Sequence, residues 1–280
     1  MNKIGILGNP IKHSLSPKMH NYWLKDLNIC GKYKAFKTPM KNFRSTINKL
    51  SKDNYLGVNL TIPLKENALK YLDKKDKIVD ITGAANTIIF SKGKINGRNT
   101  DVYGFKKSLM NQVGNKEKKQ ASIIGSGGAA RSVLYSLIEM KYKEIFIFNR
   151  SLKKSTKMKK DLTKNLNKAL NSKIRCLRLK DVKNNLINTN LLINTTPMGM
   201  KGFPKLNINV ENLNVKSIVF DLIYNPLETE LLKKSKQRGI KTINGLDMLI
   251  YQAQRSFYYW FNKEPKVTNS LRKILEEEIK

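Results

Sequence analysis

The sequence predicts an α/β protein built on parallel sheets. Three observations carry this. Short apolar runs alternate with stretches of helical periodicity. One glycine-rich string sits between an apolar strand and a helix. The length, 280 residues, allows one large domain or two of ordinary size.

Residues 3–7 (KIGIL) read as the first strand. Ser16-Pro17 then starts a helix, with the Ser16 hydroxyl as N-cap and proline at the first helical position. Met19, Tyr22, Trp23 and Leu27 follow at helical spacing. Residues 55–60 (YLGVNL) are strand-like, and Thr61-Ile62-Pro63 is expected to open another helix. GAANTIIF, ending at Phe90, is a turn into a strand, and INGRNTD (95–101) closes the first region.

A second unit begins near Val102. Residues 120–125 form a strand, a glycine-opened helix follows, and 144–150 form the next strand. Residues 151–173 read as one lysine-rich helix. LLIN (191–194) and SIVFDL (217–222) are buried strands, and KTING (241–245) is the last. Beyond it, Leu249, Ile250, Ala253, Phe257, Trp260 and Phe261 make one apolar helical face. Flexibility is expected at 111–120, and no internal repeat is present.

Composition narrows the function. With 40% hydrophobic and 27% charged residues the chain can build a core, which excludes a disordered, collagen-like or disulfide-stapled chain. Cys30, Cys176, His13 and His20 form no metal-ligand pattern, so no metal is expected. The thiols read as reduced, which points to the cytoplasm. MNKIGILGNP reads as a strand running into a turn and not as a signal peptide, and no apolar run is long enough to span a membrane. Lys and Arg number 54 against 21 Asp and Glu, a net charge of +33. The lysines are spread along the chain, so they read as a solvated surface or a field attracting anionic ligands, with no specific nucleic-acid partner.

Gly125-Ser126-Gly127-Gly128-Ala129-Ala130 has the spacing of a dinucleotide loop. Gly125 permits the tight turn and Gly127 lets the backbone approach a pyrophosphate at the helix N-terminus. A plain helix-starting loop is the other reading. The next strand ends in Asn149-Arg150-Ser151, where an NAD site would carry a carboxylate. Arginine pairs with a 2′-phosphate instead, so the site favours NADP.

Ser14 and Ser16, two apart near a helix start, can grip a carboxylate, although Ser16 is also explained as a cap. Asn59, Thr61 and Lys65 gather at one strand-to-helix turn. A lysine in the first helical turn faces the positive end of the helix dipole, which suggests a proton-exchanging role. A solvated lysine is the plain alternative. Asn86 and Thr87, then Asn99, Thr100 and Asp101, add an amide and a carboxylate on two further loops. Asn194 to Met200 and Asn225-Pro226 read as turns, the Tyr224 ring as core, and the aromatics 257–261 as packing. Gln252 lies off the apolar face of its helix.

Taken in order, GNPIKHSLSP, NLTIPLK, GAANT, NTD, GSGGAAR, NRS, NTTPMGM, DLIYNPLET and NGLDMLIYQA resemble the shikimate dehydrogenase family over nearly the whole chain. The resemblance implies two α/β domains flanking a cleft. Residues 1–101, completed by C-terminal helices 247–280, would bind substrate, and 102–246 would be a Rossmann-like NADP-binding domain. It implies reversible NADPH-dependent reduction of 3-dehydroshikimate to shikimate, a step toward chorismate and the aromatic amino acids. Lys65 would be the acid/base, paired with Asp101. Ser14 and Ser16 would hold the substrate carboxylate, and Thr61, Asn86, Asp101, Tyr224 and Gln252 the rest of the substrate. The 125–129 loop (Gly125, Ser126, Gly127, Gly128 and Ala129) would bind the pyrophosphate, and Asn149, Arg150 and Ser151 the adenosine phosphate. Thr195, Leu222, Gly245 and Met248 would line the nicotinamide end.

Two positions depart from the family pattern: Ala85 replaces the commoner valine, and Lys77 stands where relatives often carry an acid, so residue 77 receives no role. A quinate or shikimate dehydrogenase using NAD is the nearest alternative. A basic nucleic-acid-binding protein on the same fold is the distant one. The expected ligands are small molecules, and the expected state is a monomer or homodimer without a membrane partner.

Overall fold

The computed structural model describes residues 1–113, 118–166 and 172–279. Residues 114–117, within the stretch expected to be flexible, and 167–171, within the expected 151–173 helix, lie outside the described residues. The chain divides into two compact units, Met1–Gly104 with Ile250–Glu278, and Phe105–Leu249.

The first unit contains β1 (Asn2–Gly8), α1 (Ser16–Asp26), β2 (Gly31–Lys37), α2 (Phe43–Lys52), β3 (Tyr55–Leu60), β4 (Lys74–Lys75), α3 (Lys77–Thr82), β5 (Thr87–Ser91) and β6 (Lys94–Arg98), and α4 (Asp101–Val113) starts in it. Its sheet has the order β2-β1-β3-β5-β6-β4. β1 pairs in parallel with β2 and β3, whereas β5 runs antiparallel to β3 and β6. The sheet is therefore mixed, not parallel as expected. The cause is local: Lys92 and Gly93 both have positive φ. A two-residue turn of that kind matches strand twist and closes a hairpin, which is antiparallel by construction.

The second unit contains β7 (Gln120–Ile124), α5 (Gly128–Glu139), β8 (Glu144–Asn149), α6 (Leu152–Leu166), β9 (Lys173–Arg178), β10 (Leu191–Asn194), β11 (Ile218–Asp221), α7 (Glu230–Gln237) and β12 (Lys241–Ile243). α8 (Leu246–Phe261) begins here and passes into the first unit, and α9 (Asn269–Ile279) follows. The sheet order is β12-β11-β10-β7-β8-β9, and every pairing is parallel. All residues of β7, β10 and β11 are buried, as strands covered on both faces must be. β9 begins at Lys173, so the lysine-rich helix is shorter than expected. The run KIRCLR intersperses cations with apolar residues, and it reads equally as strand once it pairs with β8.

In the first unit, Trp260 of α8 crosses β3. Its indole N–H donates to the Ile88 carbonyl at 2.9 Å. A Cβ on Gly57 would lie 2.2 Å from that indole nitrogen, so glycine is required there. His20 is fully buried, with its ring stacked on Tyr33 at 4.3 Å and neither nitrogen bonded. Burial lowers its pKa to about 3, so the imidazole is neutral.

Candidate active site

Asp101 is the first residue of α4 and is almost fully buried. A buried carboxylate needs partners. Lys65 Nζ approaches its Oδ2 at 2.6 Å, and Asn86 Nδ2 donates to its Oδ1 at 2.9 Å. The position at a helix N-terminus favours the negative charge further. Asn86 is itself fixed. Its Oδ1 accepts from the Thr100 backbone N–H at 2.7 Å, and its Nδ2 also donates to Gln252 Oε1 at 3.1 Å. Lys65, Asp101, Asn86 and Gln252 therefore form one connected cluster within the first unit.

Lys65 does not lie in a helical turn as the sequence suggested. It sits in a turn ahead of a short 3-10 segment, Asn67–Tyr71. The reason is that the Lys65 carbonyl accepts from the Ala85 N–H at 2.9 Å and so is committed to the GAANT loop. Placement of the ammonium thus follows from Asp101 and that loop, not from a helix dipole.

Ser16 is not an N-cap either. α1 starts at Ser16 itself after Leu15, which makes no side-chain cap bond. The Ser14 hydroxyl accepts from the Ser16 N–H at 3.3 Å instead. Ser14 is half-buried and Ser16 buried. Thr61 is half-buried and packs where a Cβ on Gly8 would fall, 2.2 Å from its Cγ2. Tyr224, grouped with these residues by resemblance, belongs to the second unit and is half-buried.

In the second unit the strand order reverses between β7 and β10, and open α/β sheets bind ligands at the carboxyl ends on either side of such a switch. Gly125 follows β7 with φ +111°, and a Cβ there would sit 2.6 Å from Thr195 Oγ1. Thr195 donates through both its N–H and its hydroxyl to the Ile124 carbonyl. The two loops thus close on each other. Ser126 and Gly127 lead into α5, and Gly128 and Ala129 are its first residues. Gly127 at the N-cap makes no side-chain bond to the first turn of α5. Such a helix start suits an oxyanion.

Asn149 ends β8, and its Nδ2 donates to the Ser151 carbonyl at 2.9 Å, shaping the turn that carries the exposed Arg150. Leu222 pairs through its N–H with the Asn194 carbonyl, and Gly245 packs so closely on Leu222 that a Cβ would meet its carbonyl oxygen at 2.0 Å. Met248 is buried on α8. These residues fit a dinucleotide: a glycine turn, an uncapped helix start and an arginine where a carboxylate would exclude a 2′-phosphate.

Sequence reasoning missed the polar set behind the first cluster. Asn59 Nδ2 donates to Ser256 Oγ at 3.0 Å, and Ser256 Oγ lies 2.8 Å from Thr87 Oγ1 and 3.1 Å from Thr100 Oγ1. These four buried side chains tie β3, β5, the NTD loop and α8 together. Asn59, Thr87 and Thr100 stood inside the quoted motifs, whereas Ser256 carried no signal because its partners lie 156 to 197 residues away. Among the described residues no cluster of His, Cys, Asp or Glu suits a metal, and no helix is long and apolar enough to cross a membrane.

The chain matches the family model of the shikimate dehydrogenase substrate binding domain over residues 6–88. It matches that of shikimate / quinate 5-dehydrogenase over 107–222 and that of the shikimate 5′-dehydrogenase C-terminal domain over 245–269. It is 38% identical to the shikimate dehydrogenase (NADP(+)) of Methanococcus vannielii, over 99% of this chain and 97% of that protein. A solved shikimate dehydrogenase in complex with NADP+ aligns with a TM-score of 0.87 at 38% identity, covering 100% of this chain and 94% of the other. The Thermus thermophilus enzyme in complex with NADP(H) and shikimate aligns with a TM-score of 0.83 at 30% identity, covering 100% of this chain and 98% of the other.

Proposed function

The chain belongs to the shikimate dehydrogenase family, and we propose that it catalyses the reversible NADPH-dependent reduction of 3-dehydroshikimate to shikimate, on the route to chorismate and the aromatic amino acids. The observation that carries this reading is the Lys65–Asp101 pair at 2.6 Å, braced by Asn86. We assign residues 1–101 with 247–280 to substrate binding and catalysis, and 102–246 to NADP. The protein acts on small molecules as a monomer or homodimer. The free thiols Cys30 and Cys176 suit a cytoplasmic location.

NADPH, when bound, supplies the hydride that reduces the carbonyl carbon. Lys65 meets the negative charge growing on the carbonyl oxygen and donates a proton to it from Nζ. Asp101 holds that ammonium in place, and Asn86 holds Asp101. In the reverse direction the Lys65 amine takes the hydroxyl proton. Ser14 and Ser16 grip the ring carboxylate, and Thr61, Tyr224 and Gln252 complete recognition of the polar ring. The 125–129 loop receives the pyrophosphate, Asn149, Arg150 and Ser151 the 2′-phosphate, and Thr195, Leu222, Gly245 and Met248 the nicotinamide end.

An absorbance assay of shikimate with NADP against NAD tests the reading. NADP is the preferred cofactor and shikimate the preferred substrate; a preference for quinate with NAD would replace it. Arg150→Ala weakens NADPH far more than NADH, by about 1–3 kcal/mol for a lost charged hydrogen bond. Equal weakening of both cofactors would remove Arg150 from phosphate recognition.

A further inference from the structure

We infer that Asp221 is a positioning residue of the cofactor site, setting the loops after β10 and β11 so that they receive the nicotinamide end of the dinucleotide. The inference rests on the reading of the second unit as the NADP-binding domain.

Asp221 ends β11 and is completely buried, and the proton chemistry has no use for it. A buried carboxylate is costly, and an apolar side chain would fill a sheet interior without that penalty. Its contacts show what it does there. Oδ1 accepts from Asn194 Nδ2 at 3.0 Å and from the Ile223 N–H at 3.1 Å. Oδ2 accepts from the Thr229 hydroxyl at 2.8 Å. One carboxylate therefore joins the end of β10 to the turn after β11 and to the start of α7.

The brace continues outward. Asn194 Oδ1 accepts from both the N–H and the hydroxyl of Thr196, at 3.0 and 2.8 Å. Asn194 Nδ2 also donates to the Met198 carbonyl at 3.2 Å. This orders the loop that begins with Thr195, the residue closed against Gly125. On the other arm, the Gly245 N–H donates to the Ile223 carbonyl at 2.8 Å, and the Lys201 N–H donates to the Asn225 carbonyl at 3.0 Å. Thr195, Leu222 and Gly245 thus each adjoin or bond a residue that this buried carboxylate holds. The adenosine half, at Asn149 to Ser151, takes nothing from it. Sites held to a fraction of an ångström need such support behind the contacting residues.

The asymmetry gives the test. In the full chain, Asp221→Ala weakens NADPH binding about tenfold or more, measured by titration. Binding of 2′,5′-ADP, which carries only the adenosine half, stays within about twofold. Asp221→Asn restores NADPH binding, because its amide oxygen accepts from Asn194 and Ile223 while its NH2 donates to Thr229. Equal loss of both ligands in a folded Asp221→Ala protein, or no loss of NADPH, overturns the inference. If Asp221→Ala does not fold, Asn194→Ala and Thr229→Val each remove one arm and must show the same selective loss; its absence in both is equally fatal. A parent protein that binds neither ligand defeats the cofactor reading itself. A parent that binds both, with variants that lose nothing selectively, defeats only the role of Asp221.

Discussion

At the scale of single residues, the first unit is organised around one buried charge. Asp101 faces the Lys65 ammonium on one oxygen and an Asn86 amide donor on the other. Lys65→Met removes the proposed proton donor, so turnover falls by about 10²–10⁴ while the fold and NADPH affinity persist and the melting temperature drops because Asp101 loses its cation. Asp101→Asn also places an amide NH2 against donors, so it lowers both turnover and stability. Near-normal turnover in either variant would take that residue out of the mechanism. His20 is the opposite case, a titratable ring kept neutral. Its folded pKa of about 3 lies below the unfolded value near 6.5, so the unfolded state binds the extra proton and stability falls as pH drops below about 6.5. Asp221 pulls the other way. Burial raises its pKa to about 6, so the stability it contributes is present below about 4 and is lost as pH rises through 6. Comparison with His20→Phe isolates the histidine. Between pH 6.5 and 5 the wild type loses about 1.6 kcal/mol relative to the variant in denaturant titrations, the slope rising from about 0.7 toward about 1.4 kcal/mol per pH unit. Parallel profiles would show that His20 takes up its proton in the fold. No residue-level rule placed His20 in a stack of rings, because Tyr33 reaches it from the next strand and Phe257 from the far end of the chain.

At the scale of elements, strands were legible wherever apolar residues dominated a short run without lysine or arginine. YLGVNL is β3 and LLIN is β10 without adjustment. The expected apolar face of α8 is buried at Ile250, Ala253, Phe257 and Trp260. Elements in which cations interrupt the apolar residues were not legible. GKYKAFK forms β2 and KIRCLR forms β9, yet both match polar helix as well as edge strand. Gly57 shows what an element demands beyond its pattern. In sequence it is a glycine inside a strand, and in the fold it is the space occupied by the Trp260 indole. Gly57→Ala therefore costs about 1–3 kcal/mol by overpacking and lowers the melting temperature measured by circular dichroism. A Cβ there would also meet the Ile88 carbonyl oxygen of β5 at 2.1 Å, so an unchanged melt would mean that both α8 and β5 move aside at no cost.

At the scale of the whole molecule, the formal charge of +33 is the plainest feature of the chain, and it tells least about the reaction. It predicts salt-sensitive, sequence-independent attraction to polyanions. Any binding to a random DNA duplex should weaken by orders of magnitude between about 50 and 200 mM salt in a filter assay. Saturable, salt-resistant binding to one sequence would give the charge a purpose of its own. The sequence by itself determined the alternation of strands and helices, the glycine turn after β7, the arginine at the end of β8 and the polar turn that carries Asn59, Thr61 and Lys65. These are local, since each depends on neighbours a few positions away. Only the tertiary structure decided that Lys65 owes its place to Asp101 and not to a helix dipole, that Asn86 commits its amide to that carboxylate, and that a buried aspartate at Asp221 locks two loops together. Each of these is a contact between side chains far apart in sequence, and burial, which makes an unpaired charge costly, is a property that a linear pattern does not contain.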